Sequence, residues 1–231
     1  MPLEWTYRSP YSQGMKIDIV SDTVCPWCFI GKRKLEAALA ARPDLEAEIN
    51  WHPFQLHPDM PEGGADRKEF TARKFGSPER AKELYENIKV AGQDVDIPFN
   101  FSKIERSPNT LDSHRLIRWA SSAGCQDALV EILFRRFFID GEDIGDHAVL
   151  IDAAEEAGMD KTLVAELLEN GADRELVSQE DMRARQMGVS GVPFFILNDK
   201  YAVSGAQDPA AFLAAFDKIA DEAENSSDAP E

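Results

Sequence analysis

Two cysteines, Cys25 and Cys28, stand three residues apart in the stretch DTVCPWCFIGKRKLEAALAAR, with Pro26 and Trp27 between them. A pair at this spacing has three chemical uses. It is half of a zinc site, a structural disulfide, or a dithiol that exchanges electrons by closing and opening one S–S bond. A structural zinc site needs four ligands, commonly from a second closely spaced pair. Only three cysteines are present; Cys125 has no companion, and His52 and His57 lie five apart in a proline-flanked segment. No metal is expected. Disulfide-stapled secreted scaffolds are short and cysteine-rich, and a chain of 231 residues with three cysteines is neither. The odds shift to redox chemistry in a reducing compartment.

The elements around the pair sharpen that expectation. In MKIDIVSD, Ile17 and Ile19 fall on one face and Lys16 and Asp18 on the other, the alternation of a strand. From Pro26 onward, Leu35, Ala38, Leu39 and Arg42 recur at helical spacing, and Pro43 ends the run. The cysteines therefore sit where a strand turns into a helix, with Pro26 in the first turn, where its missing N–H costs nothing. Unpaired N–H groups and the positive end of the helix dipole favour a thiolate at Cys25, the attacking species in disulfide exchange. Cys25 is expected to be the exposed nucleophile. Cys28, one turn deeper, is expected to resolve the mixed disulfide. Lys32 either adds positive potential near the pair or belongs, with Arg33 and Lys34, to a solvated face. A second strand, EINWHPFQL, buries Ile49, Trp51 and Phe54 and completes a βαβ unit.

The other informative stretch is MGVSGVPFFILNDKYAVSGAQDPAAFLAAF. Val192–Leu197 forms a short strand, Asn198-Asp199 a turn and KYAVSG a second strand. Asp208 then caps a helix whose inner face carries Phe212, Leu213 and Phe216. Pro193, at the start of a strand, is compatible with either a cis or a trans bond. Between Ala65 and Met187 the pattern is mostly helical, with DVDIPFNF extended and Gly124, Gly158, Gly171 and Gly188 near helix ends. Leu116, Ile117, Trp119, Ile132, Leu133 and Phe137 supply apolar faces there. Asn109 fits a helix cap and His114 its first turns. Cys125 is expected to be idle, lacking a neighbour that activates it.

Bulk composition excludes some partners. With a formal net charge of -17, nucleic acid and anionic membrane surfaces are opposed electrostatically. No apolar run approaches a membrane span. The first residues lack a basic region followed by an apolar stretch, so a cytoplasmic location is expected.

Four segments together resemble the DsbA-like family of the thioredoxin fold, in its FrnE-type branch, which is related to 2-hydroxychromene-2-carboxylate isomerase. They are DTVCPWCFIGKRKLE, WHPFQLHPDMP, PNTLDSHRL and GVSGVPFFILNDKYAVSGAQ. The resemblance implies an α/β, thioredoxin-like fold with a large all-helical insertion. Residues 15–64 and 188–223 make the two halves of the thioredoxin-like domain, 65–187 the insertion, and 1–14 and 224–231 flexible tails. It also implies that Val192-Pro193 is a cis-proline turn facing the dithiol and binding substrate, and that the insertion brings Asn109 and His114 to the substrate. The expected activity is thiol–disulfide exchange as a cytosolic reductase or isomerase, with Cys25 and Cys28 catalytic and Pro26 and Trp27 tuning the couple. Partners are disulfide- or thiol-containing proteins or small thiols, with no organic cofactor beyond glutathione as a candidate co-substrate. The chain is expected to be a monomer or homodimer. Two alternatives differ in class: a glutathione-dependent isomerase or transferase, and a noncatalytic chaperone-like binding module.

Trp27 generates the first prediction. The most oxidising DsbA-like proteins carry a histidine at the matching position, where an imidazolium stabilises the reduced form. The couple is expected between a thioredoxin-like potential near about -270 mV and a DsbA-like one near about -120 mV. Trp27→His is expected to shift it toward the oxidising end in a glutathione titration. A variant that becomes more reducing contradicts this role for the indole.

Overall fold

The computed structural model of the chain describes residues 14–227. Of the expected tails, 1–14 and 224–231, residues 1–13 and 228–231 lie outside the described residues. The first half runs β1 (Met15–Ser21), α1 (Pro26–Ala40) and β2 (Ala47–Pro53). The last half runs β5 (Phe194–Leu197), β6 (Tyr201–Ser204) and α9 (Pro209–Ser227). Between them lie β3 (Ala65–Asp66), α2 (Arg67–Phe75), α3 (Pro78–Gln93), β4 (Arg106–Ser107) and α4 (Leu111–Ala123). These are followed by α5 (Gln126–Arg135), α6 (His147–Glu156), α7 (Lys161–Glu169) and α8 (Arg174–Gln186).

The main sheet has the order β2-β1-β5-β6. β1 pairs in parallel with β2, placing Ile17 beside Ile49 and Ile19 beside Trp51, and antiparallel with β5, placing Val20 beside Phe194. Both edges of β1 are thus satisfied within the sheet, which places the β1–α1 turn at its centre. β5 and β6 form the expected hairpin through residues 198–200, with Asn198 and Asp199 both left-handed (φ 48° and 55°) and Lys200 N bonded to the Leu197 carbonyl at 3.1 Å, a tight turn.

Several boundaries depart from the sequence pattern. The insertion is not all helical: β3 and β4 form a two-residue ladder, too short to leave a periodicity. The DVDIPFNF segment is irregular and leads into a single 3₁₀ turn at Phe101–Lys103. β5 begins at Phe194, leaving Val192 and Pro193 in the preceding turn. α9 continues to Ser227, so 224–227 are helical rather than tail.

α1 is buried on two sides, which explains its run of apolar and small residues from Cys28 to Gly31. One side meets α9 and, at Gly31, Phe195 of β5; the other meets an aromatic cluster of the insertion. There Phe29 stacks on Phe134 with centroids 5.1 Å apart and meets Phe99 edge-on at 6.0 Å. Such pairs contribute about 0.5–1.5 kcal/mol each beyond burial. Lys32 is only 3 % exposed, so a solvated face is ruled out for it. Its ammonium pairs with Glu36, with Asp127 at 3.1 Å and with Glu131 at 3.4 Å. Burial opposes that charge, yet Asp127, Glu36 and Glu131 outweigh it and hold the lysine pKa above its ordinary value.

Gly31 fixes how closely α1 approaches the β5 turn. A Cβ there lies 2.9 Å from Pro193 Cγ and 3.1 Å from Phe195 Cζ. Gly31→Ala gains up to about 1 kcal/mol of helix propensity but overpacks a rigid ring, which costs about 1–3 kcal/mol. A net loss of stability in urea unfolding is expected. A variant at least as stable as the parent contradicts the close approach.

Candidate active site

Cys25 is the N-cap of α1, with extended backbone (φ -95°, ψ 109°), and Pro26 opens the helix. The first turn carries no acidic residue to compete for the positive end of the helix. The Cys25 thiol donates to the Val192 carbonyl across 3.6 Å, and the Val192–Pro193 bond is cis. Residues 167 apart in sequence thus meet at one sulfur. Cys28 lies beneath, 1 % exposed. Burial pushes its thiol pKa well above the ordinary range, and the adjacent Cys25 side chain raises it further. All three cysteines are free thiols.

Cys25 is itself only 4 % exposed, which corrects the expectation of an open nucleophile. Its access is through a cavity of about 320 Å³ bounded by the β1–α1 turn, the Gly191–Val192 turn and helices α2 and α3. Trp27, 42 % exposed, stands on its rim. Cys125 does not line the cavity; it is half-buried, and burial raises its pKa.

The insertion segment expected at the substrate contributes Ser107 and Pro108 to the wall. Asn109 and His114 do not reach it, which corrects their expected place against substrate. Asn109 ties the post-β2 loop to the start of α4. Its Nδ2 donates to the Met60 carbonyl (2.6 Å), and its Oδ1 accepts from Leu111 N (2.9 Å) and Gln55 Nε2 (3.3 Å). It precedes the N-cap, Thr110, rather than occupying it. His114 is fully enclosed, with Nε2 3.5 Å from the buried Asp22 carboxylate. Asp22 also accepts from Leu56 N at 2.7 Å, and the neighbouring Thr23 hydroxyl bonds Ser113 Oγ at 2.8 Å. These contacts anchor the turn before Cys25 from behind.

Three wall residues were not singled out as site residues by the sequence pattern: Arg67, Lys74 and His57. The signal for Arg67 and Lys74 was present in ADRKEFTARKFG. Arg67, Phe70 and Lys74 are spaced three and four apart, which aligns them on one face of α2. Among the described residues, no group of three or more His, Cys, Asp or Glu converges to hold a metal ion. No described helix is long and apolar enough to cross a membrane.

Comparison with known proteins gives a match to the DSBA-like thioredoxin domain over residues 16–217. A crystal structure of a probable DsbA oxidoreductase from Streptomyces coelicolor superposes with a TM-score of 0.81 at 30% identity. It covers 94% of this chain and 92% of its own. A Bacillus subtilis relative, the uncharacterized protein YwbO, is 27% identical over 79% of this chain and 86% of that protein. A 2-hydroxychromene-2-carboxylate isomerase shares the fold, with a TM-score of 0.68 at 14% identity over 93% of this chain and all of that one (100%).

The site generates a labelling prediction. Cys25 faces the cavity, whereas burial raises the pKa of both Cys28 and Cys125. Iodoacetamide at neutral pH is expected to label Cys25 first, the other two following only as pH rises. Peptide mapping by mass spectrometry checks this; equal labelling of all three refutes it.

Proposed function

The chain belongs to the DSBA-like thioredoxin domain family, and we propose that within it this protein is a thiol–disulfide oxidoreductase working through Cys25 and Cys28. The observation that carries the proposal is the stacking of two unlike thiols. Cys25 sits at a helix N-terminus on a cavity, and Cys28 lies buried one turn below. The Cys25 thiolate attacks one sulfur of a substrate disulfide, forms the mixed disulfide and expels the other half as a thiolate. Cys28 then loses its proton and attacks Cys25 Sγ. The second substrate thiolate leaves, and the two electrons of the dithiol have passed to the substrate. The Val192 carbonyl, beside Cys25 Sγ, is in place to hold a substrate N–H during the exchange.

The raised pKa of Cys28 separates the two steps. A thiol that resists ionisation lets the mixed disulfide persist until substrate is positioned. The neutral indole of Trp27 supplies no charge that favours the reduced state, which supports work as a reductase or isomerase. We place the protein in the cytosol, on its sparing use of cysteine, with glutathione as the candidate thiol that restores the dithiol. The enclosed cavity also suits a second reading, a glutathione-dependent isomerisation of a small molecule. That chemistry needs one cysteine and survives loss of Cys28.

Cys28→Ser separates the two readings. It is expected to stop after one equivalent of substrate and to accumulate a Cys25-linked mixed disulfide, seen as an added mass that dithiothreitol removes. Turnover of disulfide substrates at the parent rate refutes the resolving role.

A further inference from the structure

We infer that the cavity over Cys25 is a site for small disulfides bearing a carboxylate on an apolar body. This names the substrate class for the exchange proposed above and rests on that proposal. The first observation is the sign of the cavity wall. The chain has 42 acidic against 25 basic residues, yet the wall contains Arg67, Lys74 and His57 and no carboxylate.

The second observation is that neither Arg67 nor Lys74 has a carboxylate in direct contact among the described residues. Lys32, the buried lysine of α1, is by contrast surrounded by Glu36, Asp127 and Glu131. Arg67 instead donates to two neutral oxygens, Tyr85 Oη at 2.7 Å and Ser107 Oγ at 3.3 Å. Lys74 donates to His57 Nε2 at 2.9 Å, and its ammonium lies 5.7 Å from the centre of the Phe70 ring. Neither forms an ion pair with a carboxylate among the described residues. Holding the half-buried Arg67 and the more exposed Lys74 beside one cavity with no ion-pair partner costs free energy, most of it at Arg67. The cost is visible in both groups. Burial lowers the Arg67 pKa; burial and then the Arg67 charge lower that of Lys74, against smaller opposing effects of Cys25 and the buried Asp22 behind the wall. His57, its pKa lowered by burial and then by Lys74, is the neutral acceptor of the three. Lys74 has one of its three donors engaged here and Arg67 two of its five, so capacity remains for a carboxylate.

The rest of the wall selects the body of the ligand. Phe70, Phe75, Tyr85, Leu56, Met60 and Ile88 present carbon to the cavity. A volume of about 320 Å³ matches the lower end of small-molecule sites. A peptide strand threaded there brings backbone groups that this apolar wall leaves unpaired. An aromatic or aliphatic acid buries its body and places its charge on Lys74 and Arg67. Its disulfide then lies toward Cys25, and the electrons move by the two attacks written above.

The test compares two aromatic disulfides on the reduced full-length chain by stopped flow. Dithiobis(nitrobenzoate) carries a carboxylate on each ring; dithiobis(nitropyridine) is its neutral analogue. The ratio of the two rates is read against the same ratio for N-acetylcysteine. An acidic protein without the site repels the carboxylate probe and gives a lower ratio; the site gives a higher one. Lys74→Gln is expected to lower the protein's ratio about tenfold, the scale of one hydrogen bond to a charged group. Lys74→Arg is expected to restore it. A ratio unchanged in Lys74→Gln, because both probes slow equally, overturns the inference. Calorimetric titration of nitrobenzoate, which has no sulfur, into Cys25→Ser tests the site without exchange. No binding there overturns the site even if exchange proceeds. Binding without any exchange by the parent chain keeps the site and overturns the redox proposal.

Discussion

The antiparallel register of β1 on β5 is the constraint from which the site follows. Val20 is opposite Phe194. Past Val20 the chain continues through Ser21 and Asp22 to Cys25; before Phe194 it comes from Val192 and Pro193. One pairing therefore delivers the thiol and the Val192 carbonyl to the same end of the sheet. A slip of one residue turns every side chain of β5 to the opposite face, so the buried Phe195 and Leu197 hold the register. β1 is hydrogen-bonded on both edges, and the turn that carries Cys25 inherits that rigidity.

The helix that begins at Cys25 joins two bodies of apolar packing. Gly31 lets it approach Pro193 and Phe195, while Phe29 engages Phe99 and Phe134 of the insertion. Lys32 is locked by Asp127 and Glu131 from α5. These carboxylates and Glu36 are partly exposed and three in number, so losing one leaves Lys32 two partners and costs less than the about 3–5 kcal/mol of breaking a fully buried pair. The insertion is thus a second support of the dithiol helix, not only a lid over it. Thr23 with Ser113, and Asp22 beside His114, extend the same support to the turn itself.

Charge is divided unevenly across the molecule. The net charge of -17 opposes anionic surfaces electrostatically, but α2 turns Arg67 and Lys74 to the cavity where Cys25 sits. Bulk composition argued against polyanions as partners. It said nothing of a small anion, because a pocket responds to the few charges lining it and not to the sum over the chain.

Much of the fold was legible in the sequence. The strand before Cys25, the helix after it, the late hairpin and the closing helix each carry a periodicity or a turn signal within a dozen residues. The place of Cys25 and Cys28 at a helix start follows from those local signals alone. What lay outside the sequence pattern depends on partners far along the chain. Lys32 looks solvated until Asp127 and Glu131 arrive beside it; Asp18 looks like an outward strand residue until His52 and Lys16 enclose it. His114 looks like a site residue until it is enclosed against Asp22. Cys25 looks exposed until α2 and α3 roof it over. Local propensity and spacing determined which elements form and where the dithiol begins. Only tertiary packing decided which side chains face the sulfur, because contact across a hundred residues leaves no trace in the periodicity of either segment.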